Sequence, residues 1–499
     1  MNLALAPFSD PSLEADFVEY LVREEAPDRA LHLARLWAYY KNDLTPLGAG
    51  LPEAERTPDW AASARPYYQA QEFGLPARIT GRSHLAYGGS GTVQPAITRK
   101  EVVIENDIGW RVDTGVHLLA GRAPVITSLA RRPEDARTIE AVLAAAWTAS
   151  GGLALVQEIA LLGAVYGFVD LVVRSNADAP HPITPLAEGA ASPSRPPQPP
   201  TSNALLRLPP PSFPVTVEAV EAPRIVPVLD ENDYRRVRYW VQVYRRQANR
   251  LTGGGVLARL FSRDQGRAAE VEAVEILGPA WWQRYEDGRL AAEGPNPLGR
   301  VPVVHIQHYA HPMHYEGAGE VEPLVALQDE LNTRLSDRAN RVTFQSFKMY
   351  LGKGIEGFED RPVAPGRMWS TDNPDASIEA FGGDDACPSE DAHVRELREA
   401  LDKTSGVTPL AAGLLRDSLG SLTSATALKV VLMGTLARVA RKRVTYGQGL
   451  VEANRLILDA LDRFGYLPTD PADRGTAIDW PDPLADVLPA EPPASEPRA

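Results

Sequence analysis

Apolar residues fall at helical intervals in two parts of this chain of 499 residues. Near the start, Leu13, Phe17, Tyr20 and Leu21, then Leu31, Leu33, Leu36, Trp37 and Tyr40, predict two helices between Leu13 and Asp43, with Pro27-Asp28 as the break between them. In the second half the period is helical again from Glu320. Leu324, Leu331, Leu335 and Val342 make a seven-residue-spaced stripe, while Glu322, Asp329, Glu330, Asp337 and Arg341 lie elsewhere, as in a helix packed along one apolar seam. A β-like insert from about Lys348 to Pro388 precedes a second helical stretch, SEDAHVRELREALDKTSG, and a loop then leads into a third. That last stretch, from Thr423 to Phe464, would extend roughly 60 Å at about 1.5 Å per residue, with Gly434, Gly447 and Gly449 as candidate kink points.

Between these regions the pattern changes. From Ala77 to Ser128 it reads as β-like and punctuated by glycine, and Pro133-Glu134-Asp135-Ala136 opens a helix with acidic first-turn residues. GLALVQEIALLGAVY, from Gly152 to Tyr166, is apolar almost all round, which predicts a buried helix. FVDLVV after it predicts a buried strand, and together they form the centre of the first core. Two further strands are expected at Tyr234 to Arg246, with the arginines on its wet face, and at Ala269 to Gly278. The fold class expected is therefore α+β. Residues 176–214 interrupt it: twelve prolines between Pro180 and Pro214 predict a solvent-exposed, disordered insertion.

Composition narrows the classes of function. A hydrophobic content of 44% is enough for real cores and argues against wholesale disorder. No run approaches the roughly 18–20 apolar residues of a bilayer span, and the N-terminus lacks a basic signal region, so a soluble protein with no membrane partner is expected. The lone Cys387 can form neither an internal disulfide nor a Cys-rich metal site. A net charge of -14, from 51 basic against 65 acidic residues, opposes tight phosphate gripping but suits a wall past which DNA slides.

Candidate chemistry is sparse. HIQHYAHPMHYE sets His305, His308, His311 and His314 three residues apart, with Glu316 and Glu320 close by. In a strand that interval alternates faces, and Pro312 blocks a helix interior, so no regular element converges all four on one ion. A strand end and surface loop is the expected reading, and a looped metal site the alternative. Gly88-Gly89-Ser90-Gly91 lacks the lysine of a phosphate-binding loop, Gly253-Gly254-Gly255 reads as a flexible turn, and no nucleophile elbow is present, so neither an enzyme nor a cofactor is expected. Arg438, Arg441, Lys442 and Arg443 form a basic cluster, expected to make salt bridges between subunits, with phosphate contact as the alternative. The segment GVTPLAAGLLRDSLGSLTS, bounded by Gly406 and Ser424, is rich in small residues with Arg416, Asp417 and Ser418 at its polar tip, and Thr423 or Ser424 can cap the next helix.

The order of these elements resembles the tailed-bacteriophage portal proteins of the SPP1 type. The resemblance is carried by PYYQAQEFGLPARITG, IGWRVDTGVHLLAGRAPVI, NPLGRVPVVHIQHY followed by EPLVALQDELNTRLSDRANR, and SLTSATALKVVLMGTLARVARK, scattered over roughly residues 35 to 465. It implies a homo-oligomeric ring, usually of about twelve subunits, at one capsid vertex. Double-stranded DNA would pass through it without sequence specificity during packaging and ejection. The implied partners are the terminase large subunit, a head-tail adaptor, and capsid and scaffold proteins. Location in the virion, after assembly in the host cytoplasm, is implied as well.

By the same resemblance, residues 1–319 would form a wing, 320–345 and 389–405 two stem helices, and 346–388 a clip. Residues 406–424 would form a tunnel loop, 425–464 a long wing helix, and 465–499 a last wing segment with a disordered tail. Leu414, Leu415, Arg416, Asp417, Ser418, Leu419 and Ser421 would line the channel, and Lys348, Tyr350, Lys353, Arg361, Arg367 and Trp369 would dock the motor or adaptor. With 35 residues after Phe464, a helical crown is expected to be reduced or missing. The rival readings are another capsid-associated structural protein, and a metal-dependent hydrolase centred on the four histidines.

Overall fold

The computed structural model describes residues 15–42, 103, 105–175, 205–206, 212–247, 270–346, 349–353, 374–381, 388–411 and 425–483. They divide into two compact units, Met1–Pro66 with Ile108–Pro323 and Ser405–Ala499, and Tyr67–Asp107 with Leu324–Thr404.

In the larger unit the N-terminal apolar pattern forms α1 (Ala15–Tyr20), a π-helical turn (Leu21–Glu25) and α2 (Ala26–Lys41). The expected break at Pro27 does not occur. The proline sits in the first turn of α2, where its missing N–H costs nothing, and the π turn just before it widens the ladder to make room. A second expectation is corrected in the next element. The segment read as β-like is helical from Asp107 to Ala120 (α3), and among its described residues Val125–Ser128 (β1) form a strand. Ile108, Val112, Val116 and Leu119 are buried at intervals of three and four, which is a helical face. Gly115, which looked like a turn signal, makes room: a Cβ there would lie 3.1 Å from Glu320 Oε2 and 3.3 Å from Lys442 Nζ. The rest of the β-like stretch, apart from Val103 and the residues from 105 onward, lies outside the described residues.

The helix opened by Pro133 is α4 (Pro133–Ala149). The all-apolar segment is α5 (Leu153–Tyr166), and β2 (Phe168–Ser175) is buried from Phe168 to Val173, as expected of a central strand. Gly167 joins α5 to β2 with φ +89°, and a Cβ there would lie 2.2 Å from the Gly317 carbonyl oxygen, so glycine is required. β2 is the middle of a three-stranded antiparallel sheet of order β3-β2-β9, with β3 at Val215–Val220 and β9 at Val303–Gln307.

A five-stranded antiparallel sheet runs in order from β4 (Ile225–Leu229) through β5 (Val237–Gln247), β6 (Glu270–Leu277) and β7 (Trp281–Glu286) to β8 (Arg289–Pro295). Val18, Leu21, Val22 and Ala26 pack on Val226, Tyr239, Val241 and Ile276, so the N-terminal helices form one core with this sheet. Arg238 and Arg245 of β5 are exposed, but the expected alternation fails between them: Tyr239 to Gln242 are all buried, and Arg238 falls where the register with β4 shifts.

The long helix, Ala425–Arg463, forms one uninterrupted element of 39 residues (here α8, because the smaller unit supplies α6 and α7). It crosses β9 at Gly449, where any Cβ would sit 2.3 Å from Ile306 Cγ1. Of the three glycines expected as kink points, this one serves close packing. Past α8 the chain folds back as β12 (Thr476–Asp479), antiparallel to β1. Arg474 fastens the return with bonds to Asp459 (2.5 Å) and Asp462 (2.6 Å).

In the smaller unit, α6 (Val325–Ser346) and α7 (Pro388–Ser405) flank an antiparallel hairpin of β10 (Met349–Lys353) and β11 (Ser377–Phe381). The order helix, β insert, helix is as expected, but the buried face of α6 is not the leucine stripe. Leu324 and Leu331 are buried, yet Val342 is 51% exposed, while Gln328, Asp329, Asn332, Thr333 and Ser336 are buried. The reason is an extended backbone that needs partners. Gln328 Oε1 accepts from Asp107 N (3.1 Å), Asn332 Oδ1 from Glu105 N (3.1 Å), and Ser336 Oγ from Val103 N (3.0 Å). Residues spaced by four thus form a polar ladder on one helix face. Arg338 to Asp391 (3.0 Å) and Arg341 to Glu390 link α6 to α7 in antiparallel order. Among the described residues no single helix is long and apolar enough to cross a membrane.

Candidate functional site at the base of the α7–α8 loop

The loop residues proposed to line a channel, Leu414 to Leu419 and Ser421, lie outside the described residues, as do Lys348, Arg361, Arg367 and Trp369 of the insert. Tyr350 and Lys353 fall on β10, opposite Ala380 and Ser377. What is described is the ground the loop stands on. At the end of α7 the chain turns at Gly406 with φ +66°, the left-handed conformation that favours glycine. Three side chains from two other helices hold that turn. Arg111 of α3 donates to the Val407 carbonyl (2.6 Å) and to Ser405 Oγ (3.1 Å). Arg438 of α8 donates to the Ser405 carbonyl (2.6 Å), and Thr435, almost one turn earlier, to the Gly406 carbonyl (2.8 Å). A Cβ on Gly406 would lie 2.3 Å from Arg438 Nε, so space as well as φ selects glycine. Arg111 is 2% exposed, and its guanidinium lies over the Trp110 ring, 4.3 Å from the ring centre.

One turn beyond Arg438, Lys442 points into a buried polar cluster. Its Nζ pairs with Glu320 Oε1, Tyr309 Oη donates to the same oxygen (3.2 Å), and His308 Nε2 lies 3.2 Å from it. His308 Nδ1 faces Tyr446 Oη at 2.8 Å, one further turn along α8. Burial alone would raise the Glu320 carboxyl, but the Lys442 ammonium and the nearby His308 outweigh it and hold it well below the usual carboxylate range. Burial, helped by Lys442, lowers His308 against the pull of Glu320. The geometry fits a neutral imidazole that accepts from Tyr446 at Nδ1, while Nε2 lies near Glu320 without hydrogen-bond alignment. Gly163 of α5 makes room for this pair, since a Cβ there would lie 1.9 Å from Tyr446 Oη.

The four histidines are therefore parted. His305, on β9, has Nδ1 2.7 Å from Asp170 Oδ1 and Nε2 2.7 Å from the Tyr315 carbonyl. Asp170 Oδ2 also accepts from Trp240 Nε1 and Tyr315 Oη, each at 2.8 Å. His308 is 1% exposed, which corrects the surface-loop reading for that residue. His311 and His314 stack on each other with ring centres 4.1 Å apart. Among the described residues no group of three or more His, Cys, Asp or Glu is placed to hold a metal ion.

The basic cluster is parted too, and within one chain. Lys442 pairs with Glu320, Arg438 holds the loop base, Arg441 lies over Tyr309, and Arg443 lies over Trp480 and donates to the Pro481 carbonyl (2.9 Å). The expected salt bridge between subunits is, at Lys442, an internal one. Sequence reading marked Gly406 as the loop boundary but missed Arg111 and Thr435. Arg111 sits in the segment misread as β, and Thr435 carries no signal beyond its place on a helix.

An antiparallel core crossed by one long helix, a second unit of helix, hairpin and helix, and a loop base held by buried Arg111 and half-buried Arg438 make up the described architecture. Residues 213–484 match the family described as "Phage portal protein, SPP1 Gp6-like"; the match covers more than half of the chain, and the chain belongs to this family. It is a family of structural proteins. Two solved structures are similar at 11% identity with a TM-score of 0.40: a chain of "Virion of native gene transfer agent (GTA) particle", covering 76% of this chain and 81% of that one, and a chain of "Neck of empty GTA particle computed with C6 symmetry", covering 75% and 80%. No curated protein matches the chain.

Proposed function

We propose that this chain is the subunit of a portal ring, usually of about twelve copies, at a single vertex of a phage-type capsid. Double-stranded DNA passes through the central channel during packaging and again on ejection. The motor is a separate terminase, whose large subunit docks on the insert between α6 and α7, and a head-tail adaptor takes that place later. Capsid and scaffold proteins surround the ring during assembly in the host cytoplasm, and the mature location is the virion.

Membership of the portal family over residues 213–484 carries this reading. The loop base supports it, because a loop that meets moving DNA needs a fixed footing, and Arg111, Thr435 and Arg438 give Gly406 one from two helices. A chain of net charge -14 forms an acidic wall with little for phosphates to adhere to. Residues Leu414 to Leu419 and Ser421 are the channel contacts in this scheme, and Lys348, Tyr350, Lys353, Arg361, Arg367 and Trp369 the docking residues. Negative-stain images of the purified protein test the proposal: rings with a central hole are expected, and compact monomers at every salt concentration would count against it.

A further inference from the structure

On the larger unit, two surface features at opposite edges of the β3-β2-β9 sheet complement each other. Past the β9 edge, His311-Pro312-Met313-His314 forms a tight turn closed by His314 N to the His311 carbonyl (3.4 Å). Met313 has φ +67° and is 75% exposed, an apolar side chain held outward on strained backbone. The turn is braced by the stacked His311 and His314 rings, and by Gln307, whose Oε1 accepts from His311 N (3.2 Å) and whose Nε2 donates to the His314 carbonyl (2.8 Å). Arg235 and Arg236 line the groove beside it with both histidines. The same groove holds Arg300 paired with Glu452, so its charged lining is three arginines against one carboxylate, a net basic flank.

Towards the β3 edge, an apolar groove of about 450 Å³ opens between α4, α5, β1 and β12, lined by Val125, Ile126, Ala144, Leu153, Leu450 and Ile478 among others. Val125 is 59% exposed and Leu153 38%. Its charged lining residue is Glu140, and Asp479 stands opposite Val125 in the strand register. Here the surroundings are acidic. α8 separates the two features, with Gln448, Gly449 and Glu452 on the turn's side and Leu450 on the groove's side.

We infer that Pro312 and Met313 of one copy of this chain seat in the Val125–Leu153 groove of the next copy. A projection on one face and a recess on another make a heterologous contact, which repeats head to tail and closes into a ring when the rotation allows. The basic flank of the turn against Glu140 and Asp479 fixes the pairing and disfavours turn against turn. The inference rests on the ring proposed above and adds the contact that builds it.

In a Cys387→Ser background, Met313→Cys and Leu153→Cys placed in separate chains and treated with a short bismaleimide should yield covalent dimers and nothing larger. Both substitutions in one chain should yield a ladder up to the full ring. Separately, Met313→Glu should weaken association at least tenfold while leaving the circular dichroism spectrum unchanged. Rings that form without any linked dimer, or a Met313→Glu protein that assembles like the parent, overturn the contact and leave the ring standing. Monomers at every concentration overturn both.

Discussion

At the residue scale the cluster of His308, Glu320, Lys442 and Tyr446 makes the sharpest demands. Lys442 and Glu320 are both buried, and removing one charge leaves the other without compensation. Glu320→Gln is expected to cost about 3–5 kcal/mol, whereas Glu320→Leu with Lys442→Met should recover much of that, and chemical denaturation of the single and double variants reads the difference. His308 sets a pH dependence. Its folded form holds a proton less readily than the unfolded chain, so acidification below about pH 6.5 favours unfolding, with a slope of up to about 1.4 kcal/mol per pH unit. The depressed Glu320 carboxyl acts in the same direction at lower pH, its contribution lost as pH falls below about 4.3. Melting temperatures from pH 7 to 5 should therefore fall, and His308→Gln should flatten that part of the curve; an unchanged slope would remove His308 from the account. At the loop base, Gly406→Ala should cost about 1–2 kcal/mol for the left-handed backbone alone, and more because its Cβ meets Arg438.

At the scale of elements, the sequence reads well where one physical requirement dominates. β2 and the second half of α5 were legible because elements buried on nearly all sides are apolar almost throughout, although Leu153, Ala154 and Glu158 at the start of α5 are exposed. α3 was not, because Gly109 and Gly115 imitate turn signals; Gly115 instead leaves room for an ion pair formed by residues about 200 and 330 positions away. The α6 stripe failed for a related reason: heptad leucines say nothing of a backbone segment that must be hydrogen-bonded, and Gln328, Asn332 and Ser336 are indistinguishable from surface residues until residues 103–107 lie against them. The footing of the loop was half legible, through Gly406 but not through Arg111. The ladder gives an expected outcome of its own. Asn332→Ala should leave the Glu105 amide without its acceptor at a cost of about 1–3 kcal/mol, and hydrogen exchange at Glu105 should rise well above that at amides inside α7.

At the scale of the whole molecule, the exposed large apolar side chains among the described residues include Val125, Leu153, Met313, Met433 and Val444. In the proposed ring, Met313 and the groove beside Val125 and Leu153 are the exposed apolar groups assigned to the contact between copies. The most direct test of the central claim is the mass of the native protein in solution, followed across a salt series. The account predicts one closed species at about twelve times the 54.2 kDa chain mass, persisting as salt screens the repulsion between acidic subunits. A single species at 54.2 kDa at all salt and protein concentrations would contradict it.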